Sequence, residues 1–522
     1  MRSPESKKVY TCDEAEVSVE LIIVKDEHDH KSACDNDNFD KEEHEDFDTK
    51  TAIRPTMLDI TIERLIPKTT KGKDFVQICG ILTASLGGFS AGAHLAWLSP
   101  SVPKLLLNSS YIGPITLDEA SYFSVITPIF TIIFSFVVGN AMKIIGRKHL
   151  IGFMAVPHII SWLLIATAQS IVPIYISRAF NGISDAVTVC TSTVYIGEIT
   201  TPLVRGKWGN MLMCAIFFGH LSVVVVGVYC DIVSTAYIFL IPPVLQILFT
   251  MVVPESPYFL IMRGRDNEAM SALRRFRWKK DVREEFSAIK KDIEAKSSES
   301  GVFSDLFRNA TNRKALWIVM ALFTFVEYSG LPGFVTYAQY LFQLAGGTSL
   351  SAEVSSIIFF SVLFLLTVSA SSVVGNYSRR TMMIISSFGC AISLLMEAIF
   401  FYVKDETALG VSHISWVPLL GMLCYIIFLS AGLSRMPFLM IGELFSPGIK
   451  NYAVFIASSY QAVNMIIVPK LLQLLVTNFS MYVPFMFFTC SCLIATIFCY
   501  LCVPETRGRT LEEIQRILNS KT

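Results

Sequence analysis

Apolar residues fall into twelve long runs along the chain, and short polar stretches separate them. A helix needs about 20 mostly apolar residues to cross a bilayer, which is close to the length of each run. A polar interval at 255–314 divides the runs into two groups of six, and a polar stretch at 1–74 precedes them. The pattern therefore predicts twelve transmembrane helices, near 75–98, 121–142, 150–170, 172–196, 208–230, 234–253, 315–343, 352–374, 381–403, 416–440, 452–475 and 482–503.

Three short motifs that follow helices two, four and six return in the same order after helices eight, ten and twelve. Their spacings are similar, at 232, 245 and 250 residues. A parallel duplication of this kind is typical of transporters with two homologous halves, and it predicts two six-helix bundles around a central cavity. The paired motifs are Gly146-Arg147-Lys148 with Ser378-Arg379-Arg380, Ile196-Gly197-Glu198 with Ile441-Gly442-Glu443, and Pro254-Glu255-Ser256 with Pro504-Glu505-Thr506.

These boundaries predict an all-α membrane protein made of five parts. In the polar interval between the bundles, Ala269, Leu273 and Phe276 share one helical face, which indicates short amphipathic helices. The predicted parts are an acidic, disordered cytosolic tail at 1–74, a six-helix bundle at 75–254, a cytosolic linker at 255–314, a second six-helix bundle at 315–503 and a cytosolic tail at 504–522.

Of the 522 residues, 52% are hydrophobic and only 16% are charged, and the mean hydropathy is +0.53. Soluble domains usually carry about 25% charged residues, so the composition by itself indicates a membrane protein. The 43 basic and 43 acidic residues cancel, which argues against a nucleic-acid partner. Most of the twelve cysteines lie inside the apolar runs, where thiols behave as small hydrophobic groups. We expect neither a disulfide scaffold nor a metal site.

Lys and Arg gather in one set of loops, those after helices two, four, six, eight and ten. The positive-inside rule places these loops in the cytosol, together with both chain ends. Asn108 and Asn478 lie in Asn-x-Ser triplets of the opposite loops and are the predicted glycosylation sites. We expect a multi-pass protein of the plasma membrane that functions as a monomer in the lipid bilayer.

Charged residues at the cytosolic helix ends form the most regular polar pattern of the chain. Acids and bases stand at repeat-related positions, so each half carries a similar set. We predict a gate in which ion pairs hold the inner ends of the two bundles together in the outward-open state and break when the carrier opens inward. Salt bridges that only fasten loops are the alternative. The predicted gate residues are Arg147, Lys148, Arg178, Glu198, Arg205, Glu255, Arg379, Arg380, Glu443, Lys450 and Glu505.

Several of these motifs resemble the signatures of a known family. The final stretch, 504–514, resembles the one that closes sugar porters of the major facilitator superfamily, while 178–206 resembles the family's helix-four motif and 254–257 its helix-six motif. The first helix, at 86–100, is similar to that of insect facilitated trehalose transporters. The resemblance covers about 75–515 and implies the major facilitator fold, with twelve helices in two pseudo-repeats, and sugar transport by alternating access.

The chain departs from this family where sugar is held in relatives. Helix seven lacks the family's two glutamines and its asparagine. In helix ten, Arg435 replaces a proline and Phe438 replaces a tryptophan, and in helix five Met213 stands where glutamine is common. The resemblance implies that the solute contacts the residues at the corresponding positions, which are Met213, Glu327, Gly330, Tyr337, Arg435, Phe438 and Gln461.

Glu327 and Arg435 add two charges to helices that line the same half of the cavity in this family. An ionisable group at membrane depth costs roughly 2.5–3.5 kcal/mol on insertion scales, so it usually faces the bundle interior with a partner. We predict that the two form an ion pair beside the solute path, or that Arg435 meets an anionic group of the solute. A purely structural pair is the alternative.

His94 lies in helix one, where proton-coupled relatives carry an aspartate and facilitative relatives an uncharged residue. Because histidine titrates near neutral pH, His94 is a candidate for proton coupling. A histidine that only hydrogen-bonds a neighbour is the alternative.

The sequence contains no P-loop, dinucleotide-binding or nucleophile–base motif, so we predict a carrier that is not an enzyme and needs no cofactor. The predicted function is transport of a small solute by alternating access, either facilitative or proton-coupled, and the leading solute is a sugar such as trehalose or a hexose. Two other functions stay open. One is a carrier for a charged or non-sugar organic solute, and the other is a transport-inactive receptor or sensor with the same fold.

Overall fold

The computed structural model describes residues 73–107, 109–298, 303–346, 350–369, 378–407, 412–507, 509 and 511–520. Within these ranges the chain is helical and contains no strand. The predicted tail at 1–74 lies outside the described residues except for its last two, and Asn108 lies outside them as well.

Twelve helices correspond to the twelve apolar runs. Eleven of them are long and apolar enough to cross a membrane by themselves, among the residues that the structure describes. The exception is α4, because a π-helical turn at Thr188–Ser192 divides it. The helices are α1 (Phe75–Leu105), α2 (Leu117–Ile144), α3 (Arg147–Ala166), α4 (Ile171–Val187 and Thr193–Ile199 around the π turn), α5 (Pro202–Tyr229), α6 (Ile232–Val252), α7 (Ala310–Ala345), α8 (Ala352–Ser369), α9 (Arg379–Glu406), α10 (Val417–Leu444), α11 (Pro447–Asn478) and α12 (Tyr482–Leu501).

Both α7 and α10 contain a break of three or four residues. In α7, Gly330 separates Ala310–Glu327 from Leu331–Ala345, and its φ of +97° is accessible to glycine but strained for other residues. In α10, residues 432–435 separate Val417–Ala431 from Met436–Leu444. A proline lies in the first turn after each break, where its missing N–H leaves no hydrogen bond unmade. The breaks place irregular backbone inside two helices that are long enough to cross a membrane.

Helices pack mainly within two groups of six. In the first half α1 packs on α5 and α6, and α2 on α4; in the second half α9 packs on α10 and α12. The halves meet where α2 contacts α11, where α5 contacts α8, and where the second part of α7 contacts the end of α1. This is the predicted arrangement of two six-helix pseudo-repeats.

The polar interval between the halves folds into short helices. Ala269, Leu273 and Phe276 are fully buried on one face of the second of them. A further short helix ends the described chain, with Ile514 and Leu518 buried against the second half. The helices of the interval are Pro257–Met262, Asp266–Arg277, Arg283–Ser298 and Asp305–Arg308, and the last helix of the chain is Leu511–Ser520.

Candidate functional site

The end of the bundle at which α3 and α9 begin and α4, α6, α10 and α12 end is called the basic face below. The repeat-related charges of the two halves make equivalent bonds there. Arg147 Nη2 lies 2.9 Å from Glu198 Oε1 in the first half. Arg379 Nε lies 3.5 Å from Glu443 Oε1 in the second half. The internal repeat of the sequence is therefore also a repeat of contacts.

Two further carboxylates cap the helices that begin at this face. Glu255 accepts hydrogen bonds from the backbone N–H groups of Arg147 and Lys148, each at 3.1 Å. Glu505 accepts from the backbone N–H groups of Arg379 and Arg380, also at 3.1 Å. The first N–H groups of a helix have no partner within it and carry partial positive charge, so a carboxylate is favourable there. Both carboxylates thus tie the end of one helix to the start of another.

Hydroxyl groups complete each set in the same way. Ser256 Oγ donates to Glu198, and Thr506 Oγ1 donates to Glu443. Ser378 Oγ also donates to Glu505. Burial of the Glu505 carboxylate opposes its ionisation, but hydrogen bonds from Ser378 and from the backbone N–H groups of residues 379, 380 and 507 outweigh burial and lower its pKa below the ordinary value.

In this structure the ion pairs of the predicted gate join helices of the same half. They were expected to hold the two bundles together in the outward-open state, and that role stays a prediction. The remaining charges have similarly local contacts: Lys148 Nζ donates to the Met251 carbonyl, Arg205 donates to the Gly197 carbonyl and to Thr200, Arg380 donates to the Tyr500 carbonyl, and Lys450 lies beside Gly442. In this conformation the charges fasten each half.

Arg178 does not belong to the basic face at all. It lies in the second turn of α4, near the other end of the bundle, and is 1% exposed. Its Nη1 donates to the His94 carbonyl at 2.8 Å, and its guanidinium group lies 4.5 Å from the centre of the Trp97 ring. The prediction was wrong because Arg178 belongs to the same sequence motif as Glu198 and Arg205, and the whole motif was assumed to lie at the basic face.

The opposite face, where α2 begins and α11 ends, contains polar bonds between the halves. Lys470 Nζ of α11 lies 2.6 Å from Asp118 Oδ1 and 2.8 Å from Ser121 Oγ of α2. The same ammonium group lies 4.4 Å from the centre of the Tyr122 ring. The backbone N–H of Gln339 donates to Ser99 Oγ at 3.2 Å, which joins α7 to α1. The opposite face is therefore closed in this structure.

Among the predicted solute contacts, Glu327 and Gln461 lie together. Gln461 Nε2 of α11 donates to Glu327 Oε1 of α7 at 3.0 Å. Glu327 is 3% exposed, so the amide replaces water as its hydrogen-bond donor. The sequence predicted the two residues as separate solute contacts. In the structure their side chains form one polar pair.

Arg435 does not pair with Glu327, so the predicted ion pair is not formed. Arg435 Nη2 instead donates to the Leu366 carbonyl of α8 at 3.0 Å, and its charge lies close to Cys214 of α5. Because α5 belongs to the first half and α10 to the second, Arg435 lies where the two halves meet. Its side chain is only partly buried.

The other predicted contacts are spread along the bundle. Phe438 is 51% exposed and packs edge-on against Phe323, with ring centres 5.0 Å apart; Met213 is also exposed. Tyr337 is buried next to Ser124 of α2 and belongs to the closed opposite face. Gly330 lies at the break of α7 and has no side chain that could contact a solute.

His94 is enclosed in the first half. Its ring stacks on Trp162, with ring centres 3.9 Å apart, and on His158 at 5.3 Å. His94 is fully buried, which separates it from any open solute path in this conformation.

Sequence reasoning missed several ionisable residues at membrane depth. His158 and Asp185 lie next to His94, and Lys470 closes the opposite face. Glu397 of α9 is 1% exposed. Each lies within an apolar run of the sequence, so a search of the runs for every ionisable residue would have found them.

Of the two predicted glycosylation sites, only Asn478 is described. It is exposed at the last residue of α11, and its amide donates to the Leu474 carbonyl at 2.9 Å.

Comparison with known proteins places the chain among transporters. The model of the family described as "Sugar (and other) transporter" matches residues 82–518. The chain is 31% identical over 446 residues to the facilitated trehalose transporter Tret1 of Culex quinquefasciatus, a match that covers 85% of this chain and 86% of that protein. It is 32% identical over 454 residues to Tret1 of Polypedilum vanderplanki, covering 86% of this chain and 89% of that protein.

Solved structures agree on the fold. An inward-open structure of the xylose transporter XylE from E. coli superimposes with a TM-score of 0.69 at 23% identity, covering 84% of this chain and 98% of XylE. XylE bound to 6-bromo-6-deoxy-D-glucose gives a TM-score of 0.66 at 23% identity, with coverages of 85% and 99%. The fold, the repeated contacts and the family match lead to one assignment: the chain has the fold of these transporters and belongs to the family described as "Sugar (and other) transporter".

Proposed function

We propose that the protein carries a small sugar, trehalose or a hexose, across the plasma membrane by alternating access. The geometric observation that best supports this is the difference between the two faces. Charged residues fasten each half internally at the basic face, while the Lys470–Asp118 pair joins the halves at the opposite face. Two halves of this kind can rock as rigid bodies if only the contacts between them change.

The proposed orientation puts the basic face in the cytosol, together with both chain ends, the linker at 255–314 and the tails at 1–74 and 504–522. The excess of Lys and Arg in the loops at this face supports it. Asn108 and Asn478 are then outside the cell, where both can be glycosylated. The proposed working unit is the monomer, since the bundles at 75–254 and 315–503 together supply both sides of the path.

In this proposal the Glu327–Gln461 pair takes over the recognition that glutamines and asparagine perform in relatives. The carboxylate accepts hydrogen bonds, and the amide both donates and accepts, so together they suit the hydroxyl groups of a sugar. Phe438 and Met213 supply exposed apolar surface for the ring faces of the sugar. The broken backbone at Gly330 allows α7 to bend around the solute.

A second candidate is transport of an anionic solute, and Arg435 is the observation that favours it. A guanidinium group carries five N–H donors, and the described hydrogen bond to the Leu366 carbonyl uses one of them. The group is partly exposed at the junction of the halves, so a carboxylate or phosphate of a solute can bind it in a bidentate manner. A sugar acid has both the hydroxyl groups of the first candidate solute and the anionic group of the second.

The test is radiotracer uptake into liposomes that contain the purified protein. The panel includes trehalose, glucose, a sugar acid and an organic anion without hydroxyl groups. We expect trehalose or glucose uptake to fall strongly in Glu327→Gln and to persist in Glu268→Gln, a control at an exposed cytosolic-face carboxylate. Preference for the anions, lost in Arg435→Leu, would establish the second candidate instead. No uptake of any solute would contradict the proposal.

The Glu327→Gln/Arg435→Leu double variant separates the two residues. Because they do not touch in this structure, their effects should add, as expected for sites without a shared partner. Unchanged transport in both single variants and in the double variant would exclude a role for these residues in solute binding.

A further inference from the structure

The break in α7 lies between the proposed solute site and the closed opposite face. Glu327 is the last residue of the first part of α7 and accepts a hydrogen bond from Gln461. The second part of α7 reaches the opposite face, where the backbone N–H of Gln339 donates to Ser99 Oγ of α1. The geometry of the break, residues 328–330, therefore determines how the solute site lies relative to the closed face.

A side chain of α10 bonds the middle residue of this break. Ser329 Oγ donates to the Val326 carbonyl at 2.6 Å, and the same oxygen lies 2.9 Å from the Tyr425 hydroxyl oxygen. A serine hydroxyl has one proton, which the carbonyl accepts, so the Tyr425 hydroxyl is the donor to Ser329. The Tyr425 hydroxyl, the Ser329 hydroxyl and the Val326 carbonyl thus form a chain of two hydrogen bonds, called the hydroxyl relay below.

The relay ends on a carbonyl group that needs a partner. Val326 is the last residue but one of the first part of α7, and the last four carbonyl groups of a helix have no ordinary partner within it. The backbone N–H of Ser329 also approaches this carbonyl, at 3.3 Å, and the N–H of Gly330 donates to the Glu327 carbonyl at 3.0 Å. These two bonds are local to α7, whereas the hydroxyl relay connects the end of the helix to α10.

Tyr425 contacts both sides of the break. Its hydroxyl bonds Ser329, and its ring packs edge-on against Phe334 in the first turn after the break, with ring centres 5.3 Å apart. Tyr425 and Ser329 are both 0% exposed. The relay therefore lies inside the second half, where a hydroxyl group without a partner is unfavourable.

The part of α10 that carries Tyr425 is attached to α9. Cys390 Sγ of α9 donates to the Tyr425 carbonyl at 3.7 Å, and Ser386 Oγ of α9 donates to the Phe428 carbonyl at 2.6 Å. The same helix α9 also packs on α12. The relay therefore holds the break of α7 against a supported helix.

We propose that Tyr425 is a positioning residue, which acts through Ser329 to hold the break of α7 and so keeps Glu327 at the solute site while the opposite face is closed. The proposal rests on the proposed transport function and adds an uncharged residue that acts without contacting the solute. Without the relay, Glu327 is held less firmly and the second part of α7 leaves α1 more readily. Solute affinity and closure of the opposite face then depend on the same hydroxyl group.

The first measurement is sugar uptake into liposomes that contain the full-length protein. Tyr425→Phe removes one oxygen atom and keeps the ring. It should raise KM for the transported sugar by about fivefold, the factor expected from loss of one buried hydrogen bond, and should leave kcat within about twofold of the wild type. Ser329→Ala should give the same change, and the double variant should give no further change because the two hydroxyl groups act as one unit.

The second measurement follows the opposite face without sugar. Gln339→Cys places a thiol on the second part of α7, at a residue that is 2% exposed. Addition of Tyr425→Phe should speed modification of this thiol by about fivefold, read at residue 339 by mass spectrometry so that native cysteines do not interfere. The matched control is Tyr195→Phe, which removes a similarly buried hydroxyl that donates to the Pro254 carbonyl at 2.7 Å in the first half. It should leave KM and the modification rate unchanged.

The outcomes separate the two proposals. A KM or a modification rate equal to that of the wild type in Tyr425→Phe would overturn the positioning role, and so would equal increases in Tyr195→Phe or additive effects of Tyr425→Phe and Ser329→Ala. If Ser329→Ala does not fold, Ser329→Cys decides, because its weaker hydrogen bonds should place KM between those of the wild type and Tyr425→Phe; a wild-type KM would overturn the relay. Absence of uptake for every sugar would overturn the transport function, while the modification rates would still test whether Tyr425 holds the opposite face closed.

Discussion

The two faces of the bundle use charge in opposite ways. At the basic face, Arg147–Glu198 and Arg379–Glu443 repeat the same bond in each half. At the opposite face, the pair formed by Lys470 and Asp118 crosses from one half to the other. Bonds within a half make that half rigid, whereas bonds between the halves determine their relative orientation. A carrier needs both, since rigid halves convert a local change between them into opening at one end.

The difference follows from the duplication of the chain. A motif that occurs once in each half finds its partners inside that half, because each half is a complete copy of the folding unit. Lys470, which bonds across the halves, has no counterpart among the repeated motifs. Repeats in the sequence therefore report on the stability of the halves and say little about the contacts that hold the halves together.

The largest effect is expected for a substitution of Gly330, which lies at the break of α7 between the two faces. Gly330→Ala places a Cβ within 2.6 Å of the Phe334 ring and 2.9 Å of the Phe488 ring, at a φ of +97°. Strain and overpacking together should lower the free energy of unfolding by about 2–4 kcal/mol and abolish transport. Thermal unfolding of the purified protein measures this. Gly139→Ala, in a membrane helix with open space around the glycine, should change stability by less than about 0.5 kcal/mol. Equal stability of the two variants would refute the steric account.

A smaller effect is expected at the pair that joins the halves. Lys470→Met removes the bonds to Asp118 and Ser121 and should favour opening of the opposite face by about 1 kcal/mol, or about fivefold in population. Lys470→Arg should retain closure. The matched control is Lys104→Met, because Lys104 Nζ bonds the Gly227 and Cys230 carbonyls of its own half. Accessibility of introduced cysteines at the opposite face is the measurement, and an equal increase in Lys104→Met would show that charge at this face acts without joining the halves.

The smallest effect concerns Glu505 at the basic face. Its pKa is lower in the folded protein than in the unfolded chain, so the carboxylate adds stability above the unfolded pKa of about 4.3 and loses it as the pH falls through the folded pKa. Glu505→Gln should therefore be less stable than the wild type by about 0.5 kcal/mol near pH 7, because solvent screens the partly exposed carboxylate, and the difference should shrink as the pH falls below about 4. Melting temperatures across this pH range provide the measurement. A difference that does not depend on pH would contradict the hydrogen-bonded carboxylate.

The sequence was sufficient for the fold because hydrophobic length and repetition are properties of the chain itself. It predicted twelve helices and the repeat-related positions of Arg147, Glu198, Arg379 and Glu443. It failed for Arg178, since a motif does not tell how deep in a helix each residue lies.

Side-chain partners were harder to predict from sequence than helices. Glu327 and Arg435 were expected to pair because both are charged and their helices are neighbours in the family. The structure gives Glu327 a nearby amide and Arg435 a backbone carbonyl that the break in α10 brings within reach. Amides and backbone carbonyls are uncharged, so a search of the sequence for opposite charges does not find them as partners. His158 and Asp185 were overlooked for a different reason, since His94 alone matched a family position.

Distances across the two faces, measured by electron spin resonance, test the central claim most directly. Spin labels at Leu107 and Leu350 report on the opposite face, and labels at Leu203 and Thr381 report on the basic face; all four residues are exposed. The account predicts that added sugar produces a second population in which the opposite-face distance is longer and the basic-face distance is shorter, and that Lys470→Met enlarges this population without sugar. Distances that stay fixed with a transported sugar, or that lengthen at both faces together, would contradict alternating access by two rigid halves.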